Sequence, residues 1–230
     1  MKRMVTILAA MLALAAFAGS AFAGLRSPQV PVLGGTLQGY LNTADGGINT
    51  ATDQTDAQRW AATVSNNSTF TIQVELSGNA SNNNLGLYNA SAASPSLYQV
   101  FPGAASTGWF AVASYRTAPT RVIVNLFDAS AALQGTTTYL GADRSNFGFY
   151  ISGPGGTFYT QDARNPNSAA QAVTFAGTGI NAGSWFLCFE ETDLANSSDQ
   201  DYDDAVLFLE SVNPTPVSKT SWGALKSRFQ

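Results

Sequence analysis

The chain has 230 residues, with 11 Lys or Arg, 15 Asp or Glu and no His, a net charge of −4 at pH 7. The missing histidine excludes Ser-His-Asp and Cys-His nucleophile pairs and removes one of the usual zinc ligands. Scattered basic residues make nucleic acid and anionic membranes poor partners, and the single cysteine, Cys188, rules out an intramolecular disulfide.

Met1 to Ala23 reads as a secretory leader. It has a basic start at Lys2 and Arg3, an apolar run from Val5 to Ala18, and the small-residue cleavage pattern Ala21-Phe22-Ala23. The mature chain is expected to begin at Gly24. Losing Lys2 and Arg3 leaves nine basic residues against fifteen acidic ones, a net charge of −6. No later stretch approaches the ~20 apolar residues of a spanning helix, so no transmembrane segment is expected in the mature chain. Its roughly 200 residues are enough for one packed core.

From residue 24 to 212 the pattern is that of strands. Apolar and β-branched runs separated by Gly, Asn, Ser, Asp and Pro recur at Ala57 to Val64, Thr69 to Leu76, Gly108 to Ser114, Thr120 to Phe127 and Phe147 to Ile151. They continue at Thr157 to Thr160, Ala172 to Phe175, Ser184 to Phe189 and Ala205 to Val212. In Thr71 to Leu76 apolar and polar residues alternate, as in a sheet packed on one face. Ser81 to Asn84 and Gly153 to Gly156 read as turns. The expected fold is a single antiparallel β-sandwich, all-β and jelly-roll-like, with no helical periodicity evident before Pro214. Residues 213–230 form a Pro-containing linker and a basic tail. There Trp222, Leu225 and Phe229 recur near helical spacing, as in a short helix or a docking peptide.

The chemistry concentrates in one stretch. Seven carboxylates (Glu190, Glu191, Asp193, Asp199, Asp201, Asp203 and Asp204) fall within fifteen positions, and no Lys or Arg lies between Arg164 and Lys219. Carboxylates this dense repel one another unless a cation or water sits among them, and clustered hard oxygen donors suit Ca²⁺. Glu190, Glu191, Asp199, Asp201, Asp203 and Asp204 are therefore the candidate metal ligands. Asp199, Asp201, Asp203 and Glu210 imitate EF-hand spacing, but the sixth position is Asp204 rather than Gly, and a strand rather than a helix follows. Strand alternation would send Asp201 and Asp203 to one side and Tyr202 and Asp204 to the other.

Several pieces in order resemble a known family. They are Asn146-Phe147-Gly148-Phe149-Tyr150-Ile151, the Gly153 to Asp162 turn and strand, Asn165-Pro166, Phe189-Glu190-Glu191, and Asp199-Gln200-Asp201-Tyr202-Asp203-Asp204. Together they are similar to the DUF4114 domain, common in secreted bacterial proteins that often carry a PEP-CTERM sorting signal. The core of the resemblance is about residues 145–212. The chain departs from the pattern at Gln171, where the family usually has histidine, and at Ser197-Ser198, which stand for paired glycines. Glu191 and Asp203 also differ but remain oxygen donors. After the Pro214-Thr215-Pro216 linker the residues do not resemble the hydrophobic span and basic cluster of a PEP-CTERM signal, so by this resemblance no such anchor is expected. The resemblance implies an exported bacterial protein at the cell surface or in the extracellular space.

Enzyme chemistry is not expected. A glycosidase needs only two carboxylates, but Glu75 reads as lying on the polar face of a strand and the acidic stretch is too dense to desolvate a chosen pair easily. The glycine run at Gly153 lacks the Lys-Ser or Lys-Thr of a phosphate loop. Cys188 reads as a small core residue. The expectation is an exported, non-catalytic surface or extracellular-matrix module binding Ca²⁺, with extracellular polysaccharide or a matrix protein as partner. The alternatives are a carbohydrate-binding or adhesion module, with Trp109 and Tyr202 as the candidate exposed aromatics, and a self-assembling structural component.

Overall fold

The computed structural model describes residues 23–196 and 198–215. Residues 1–22 of the expected leader, Ser197 and the tail with Trp222 lie outside the described residues. A helix, α1 (Leu37–Ala44), is followed by fourteen strands: β1 (Gln54–Thr55), β2 (Trp60–Ala62), β3 (Asn67–Glu75), β4 (Asn84–Asn89), β5 (Leu97–Phe101), β6 (Phe110–Thr117), β7 (Thr120–Phe127), β8 (Leu133–Leu140), β9 (Phe147–Gly153), β10 (Gly156–Tyr159), β11 (Ala172–Ala176), β12 (Trp185–Phe189), β13 (Ala205–Glu210) and β14 (Val212–Pro214).

Two antiparallel sheets form. The larger runs β1-β11-β12-β13-β3-β6-β7-β8, and the smaller runs β14-β2-β9-β4-β5 with β10 paired to β9. Without the β7–β8 and β11–β12 hairpins and the short strands β10 and β14, the order becomes β1-β13-β3-β6 facing β2-β9-β4-β5, the strand order of a jelly roll. The sheets meet through aromatic residues on their inner faces. Trp60 lies edge-on to Trp185 at 5.4 Å, Phe70 to Phe149 at 5.2 Å, and Tyr115 stacks on Phe147 at 5.7 Å. These rings are almost wholly buried, so each contributes a large apolar area to the core.

The body is the expected antiparallel β-sandwich, with one helix added where no helical periodicity is read before Pro214. Residues 37–44 carry only two fully buried apolar side chains, Leu37 and Leu41, one turn apart, and include Gly39, Asn42 and Thr43. Eight such residues would be marginal as an isolated helix, so tertiary packing holds it. Leu37 and Leu41 cover the outer face of the larger sheet over Val173, Phe175, Phe186, Cys188 and Val206, forming a second core. The C-terminal end is tied down by Asp45, whose carboxylate accepts from Thr178 N–H at 2.8 Å, the Thr178 hydroxyl and Asn181 Nδ2 at 2.9 Å. Burial alone would raise the Asp45 pKa, but these bonds outweigh it and hold it below the usual carboxylate value.

Strand β3 also departs from simple alternation. Val206 pairs with Val74 but Leu207 pairs with Ile72, leaving a bulge at Gln73. Gln73 then accepts from Tyr40 of the helix at 2.9 Å, and Val74 packs into the core under the helix. Glu75, opposite the inward-facing Ala205, is turned toward the inner face at the end of the sheet, instead of staying on the polar side. Strands β4, β5 and β8 were not evident from pattern. In β8 the reason is composition, since Leu-Gln-Gly-Thr-Thr-Thr-Tyr-Leu has no buried position and so no hydrophobic alternation.

Leu41→Ala should lower unfolding free energy by about 2–5 kcal/mol, the usual range for a fully buried leucine. Val64→Ala, 95% exposed, should stay within about 0.5 kcal/mol of wild type. Urea denaturation of both variants checks that the helix is an integral layer. Equal midpoints would mean that it is not.

Candidate metal centre

Strand β12 is apolar on both faces because the sandwich covers one and α1 the other, and its end delivers two carboxylates in opposite directions. Phe189 faces the inner core, so Glu190 falls on the helix-covered side and Glu191 on the inner side. Glu190 is fully buried. Its Oε1 accepts from Tyr202 N–H at 2.6 Å and its Oε2 from the Ser198 hydroxyl at 2.5 Å. Ligand oxygens of Glu190, Asp199 and Asp201 all lie within 4.8 Å of one another. This triad could hold a metal ion.

The loop reaches this geometry by leaving the extended conformation. Gln200 and Tyr202 have φ of +61° and +57°, so strand alternation fails between Asp199 and Asp203. Asp201 turns toward the triad and Asp203 toward the helix, where its Oδ2 accepts from Thr36 N–H at 2.7 Å and the Thr36 hydroxyl at 2.8 Å. A carboxylate at a helix N-terminus also complements the helix dipole. Leu33 N–H bonds to the Gln200 carbonyl at 2.8 Å. Gly35, at φ +64°, lies so close that an added Cβ would come 2.4 Å from the Asp201 Cβ. Residues 33–36 therefore clasp the acidic loop.

The remaining candidates have partners in the protein. Glu191 accepts from Asn79 Nδ2 at 3.0 Å and Asn83 Nδ2 at 2.5 Å, and Asp204 accepts from Glu191 N–H at 2.8 Å. Six candidate ligands thus separate into a triad, a helix anchor (Asp203), a backbone anchor (Asp204) and an amide-held carboxylate (Glu191). Gln171, where the resembled family usually has histidine, is fully buried and bridges the loop. It donates to the Thr192 carbonyl at 2.7 Å and accepts from Leu194 N–H at 2.9 Å. Sequence gave no signal for that role or for the Thr36 contact.

Two aromatic expectations change. Tyr202 is no exposed platform but fully buried, its hydroxyl donating to the Ala170 carbonyl at 2.9 Å. Trp109 is half-buried against the inner core. Cys188 is a core residue, as expected, and burial together with the Asp203 charge pushes its thiol well above the ordinary range.

Electrostatically the region is strained toward protonation. Burial pushes Glu75 up to about 7, helped by the charge of Glu191. Burial also pushes Asp204 up to about 7, against the Glu191 N–H bond that lowers it and with repulsion from Glu190, Glu191 and Asp199. Glu190 and Asp201 are raised too, first by burial and then by their acidic neighbours. Among the described residues the ion pair is Arg26–Asp162 at 2.7 Å, and no basic side chain is paired with the triad. No protein-family model matches the chain, and no curated protein matches it.

Two outcomes follow. Groups whose folded pKa is raised bind protons more tightly in the folded state, so their stabilisation is full below the unfolded carboxylate range near pH 4 and is lost by about 7. Metal-free protein should therefore show a melting temperature that falls between those values, and a flat or rising profile would contradict the assignment. Asp203→Ala should cost about 1–3 kcal/mol in denaturant unfolding, since it leaves the Thr36 donors without their charged acceptor.

Proposed function

We propose that the protein is an exported, non-catalytic β-sandwich module of the cell surface or extracellular matrix that binds Ca²⁺ through Glu190, Asp199 and Asp201. The convergence of three carboxylates, one of them fully buried, with no basic side chain among the described residues paired to them, carries this reading. The donor set is all oxygen, which favours Ca²⁺ over zinc. Ca²⁺ also tolerates irregular geometry, with waters or carbonyls completing its six to eight ligands. The leader at Met1 to Ala23 and the DUF4114 resemblance support export from a bacterium, where calcium is available and a weak site fills. An extracellular polysaccharide or matrix protein is the class of partner that such a module would serve.

Calorimetric titration of the chain from Gly24 to Gln230 should show saturable calcium binding that is lost in Glu190→Gln/Asp201→Asn. At a hundredfold excess over Kd the metal should stabilise the fold by about 2.7 kcal/mol and raise Tm. Asp203→Ala should lower stability yet keep the binding stoichiometry. Absence of heat and of any Tm shift in wild type would reject the reading.

A further inference from the structure

The larger sheet ends in two unlike edges. At one, β1 is two residues long and Thr55 is bridged to Leu25. At the other, β8 runs for eight residues without a charge or proline, exposed throughout except for half-buried Tyr139. The smaller sheet's edges are blunter: β14 ends in Pro214, β10 has four residues, and β5 has three of its five residues buried. Long, uncharged, β-branched edges pair with other strands unless something blocks them; β8 has neither charge nor proline, and its one bulge, at Gln134, lies near its start and leaves residues 135–140 in regular register, uncovered by any strand among the described residues.

The ladder phase shows what β8 offers. Gly141 N–H bonds to the Thr120 carbonyl at 2.8 Å, and in an antiparallel pair such bonds recur at every second residue. Gly135, Thr137 and Tyr139 therefore bond to β7, while the N–H and C=O groups of Thr136 and Thr138 point away from the sheet. We propose that β8 is a self-association edge, pairing antiparallel with β8 of a second copy about a two-fold axis at Thr137. In that register Thr136 lies opposite Thr138 of the second copy, forming four backbone hydrogen bonds.

The register is self-complementary on both faces. Leu133 and Leu140 pair with Phe127 and Arg121 of β7, so both lie on the outer face, where they are 59% and 69% exposed. Two-fold pairing brings each beside the other's counterpart and covers both. On the inner face Gly135 lies opposite Tyr139 of the second copy. There a cavity of about 180 Å³, lined by Val100, Val124, Leu126, Gly135 and Tyr139, opens between the sheets. Each Tyr139 keeps its hydroxyl bond to its own Gln99 carbonyl at 2.8 Å, and Gly135, having no side chain, lets the second copy's strand approach beside it. Charge runs the same way, with Arg116 and Arg121 paired at the Leu140 end and Asp128 at the Leu133 end. Antiparallel association sets the basic end of each copy toward the acidic end of the other. That self-complementarity selects a second copy over a foreign strand.

Sedimentation equilibrium of the chain from Gly24 to Gln230, in EDTA to keep the result independent of calcium, tests this. Wild type should show a concentration-dependent dimer. Thr138→Pro removes an outward N–H while leaving the β7 ladder intact, and Thr136→Lys places a charge on the edge. Each should weaken dimerisation at least about tenfold, the loss expected for one or two hydrogen bonds, without lowering Tm to match. If Thr138→Pro fails to fold, Thr136→Lys decides. A wild type monomeric at every concentration, or a dimer unchanged by the folded variants, would overturn the proposal.

Discussion

The contact between residues 33–36 and the acidic loop is the constraint on which the rest depends. One carboxylate, Asp203, accepts from both donors of Thr36 at the start of α1, and Gly35 lies against Asp201 with no room for a side chain. That contact fixes where the helix begins and hence which part of the larger sheet it covers. It also holds Gln200 and Tyr202 in left-handed conformations, a cost accepted only where the surroundings enforce it. Tyr202 is then buried under the N-terminal segment, and its neighbours Asp201 and Asp203 part company. A candidate metal triad and a helix anchor arise from residues two apart in sequence.

Burying that much negative charge opposes folding. Part is offset inside the protein by amide and hydroxyl donors: Asn79 and Asn83 on Glu191, Thr36 on Asp203, Tyr202 N–H and Ser198 on Glu190. Hydrogen bonds favour the ionised form, yet Glu190 and Asp201 remain raised toward protonation, so the donors do not balance the burial and repulsion. A divalent cation would supply the missing charge. Glu191 lies on the other side of β12, separated from the triad by the direction in which successive residues point, and there burial and the charge of Glu191 raise Glu75 in the same way.

Much of the sandwich was legible in the sequence because its strands bury one or both faces. Trp185 to Phe189 reads as a strand without ambiguity, and Phe70 and Ile72 mark the inner face of β3. Legibility failed where burial came from the tertiary fold rather than from a local period. Leu37 and Leu41 make a helix only because Phe175, Phe186 and Val206 lie beneath them, and Val74 faces the helix only because of the bulge at Gln73. Strand β8 left no pattern because only Tyr139 is even half-buried. The charge density of the acidic stretch was plain from the residues, but its division among four tasks was not. Both left-handed residues and the Thr36 partner, 167 positions away, lie beyond any local reading.

The most direct test is a crystal structure grown in calcium with an anomalous difference map calculated at the metal. The account predicts one ion among Glu190, Asp199 and Asp201, at about 2.3–2.6 Å from their oxygens, with Asp203 still bonded to Thr36. An ion held instead by Asp203, Asp204 or Glu191, or no peak at saturating calcium, would contradict it.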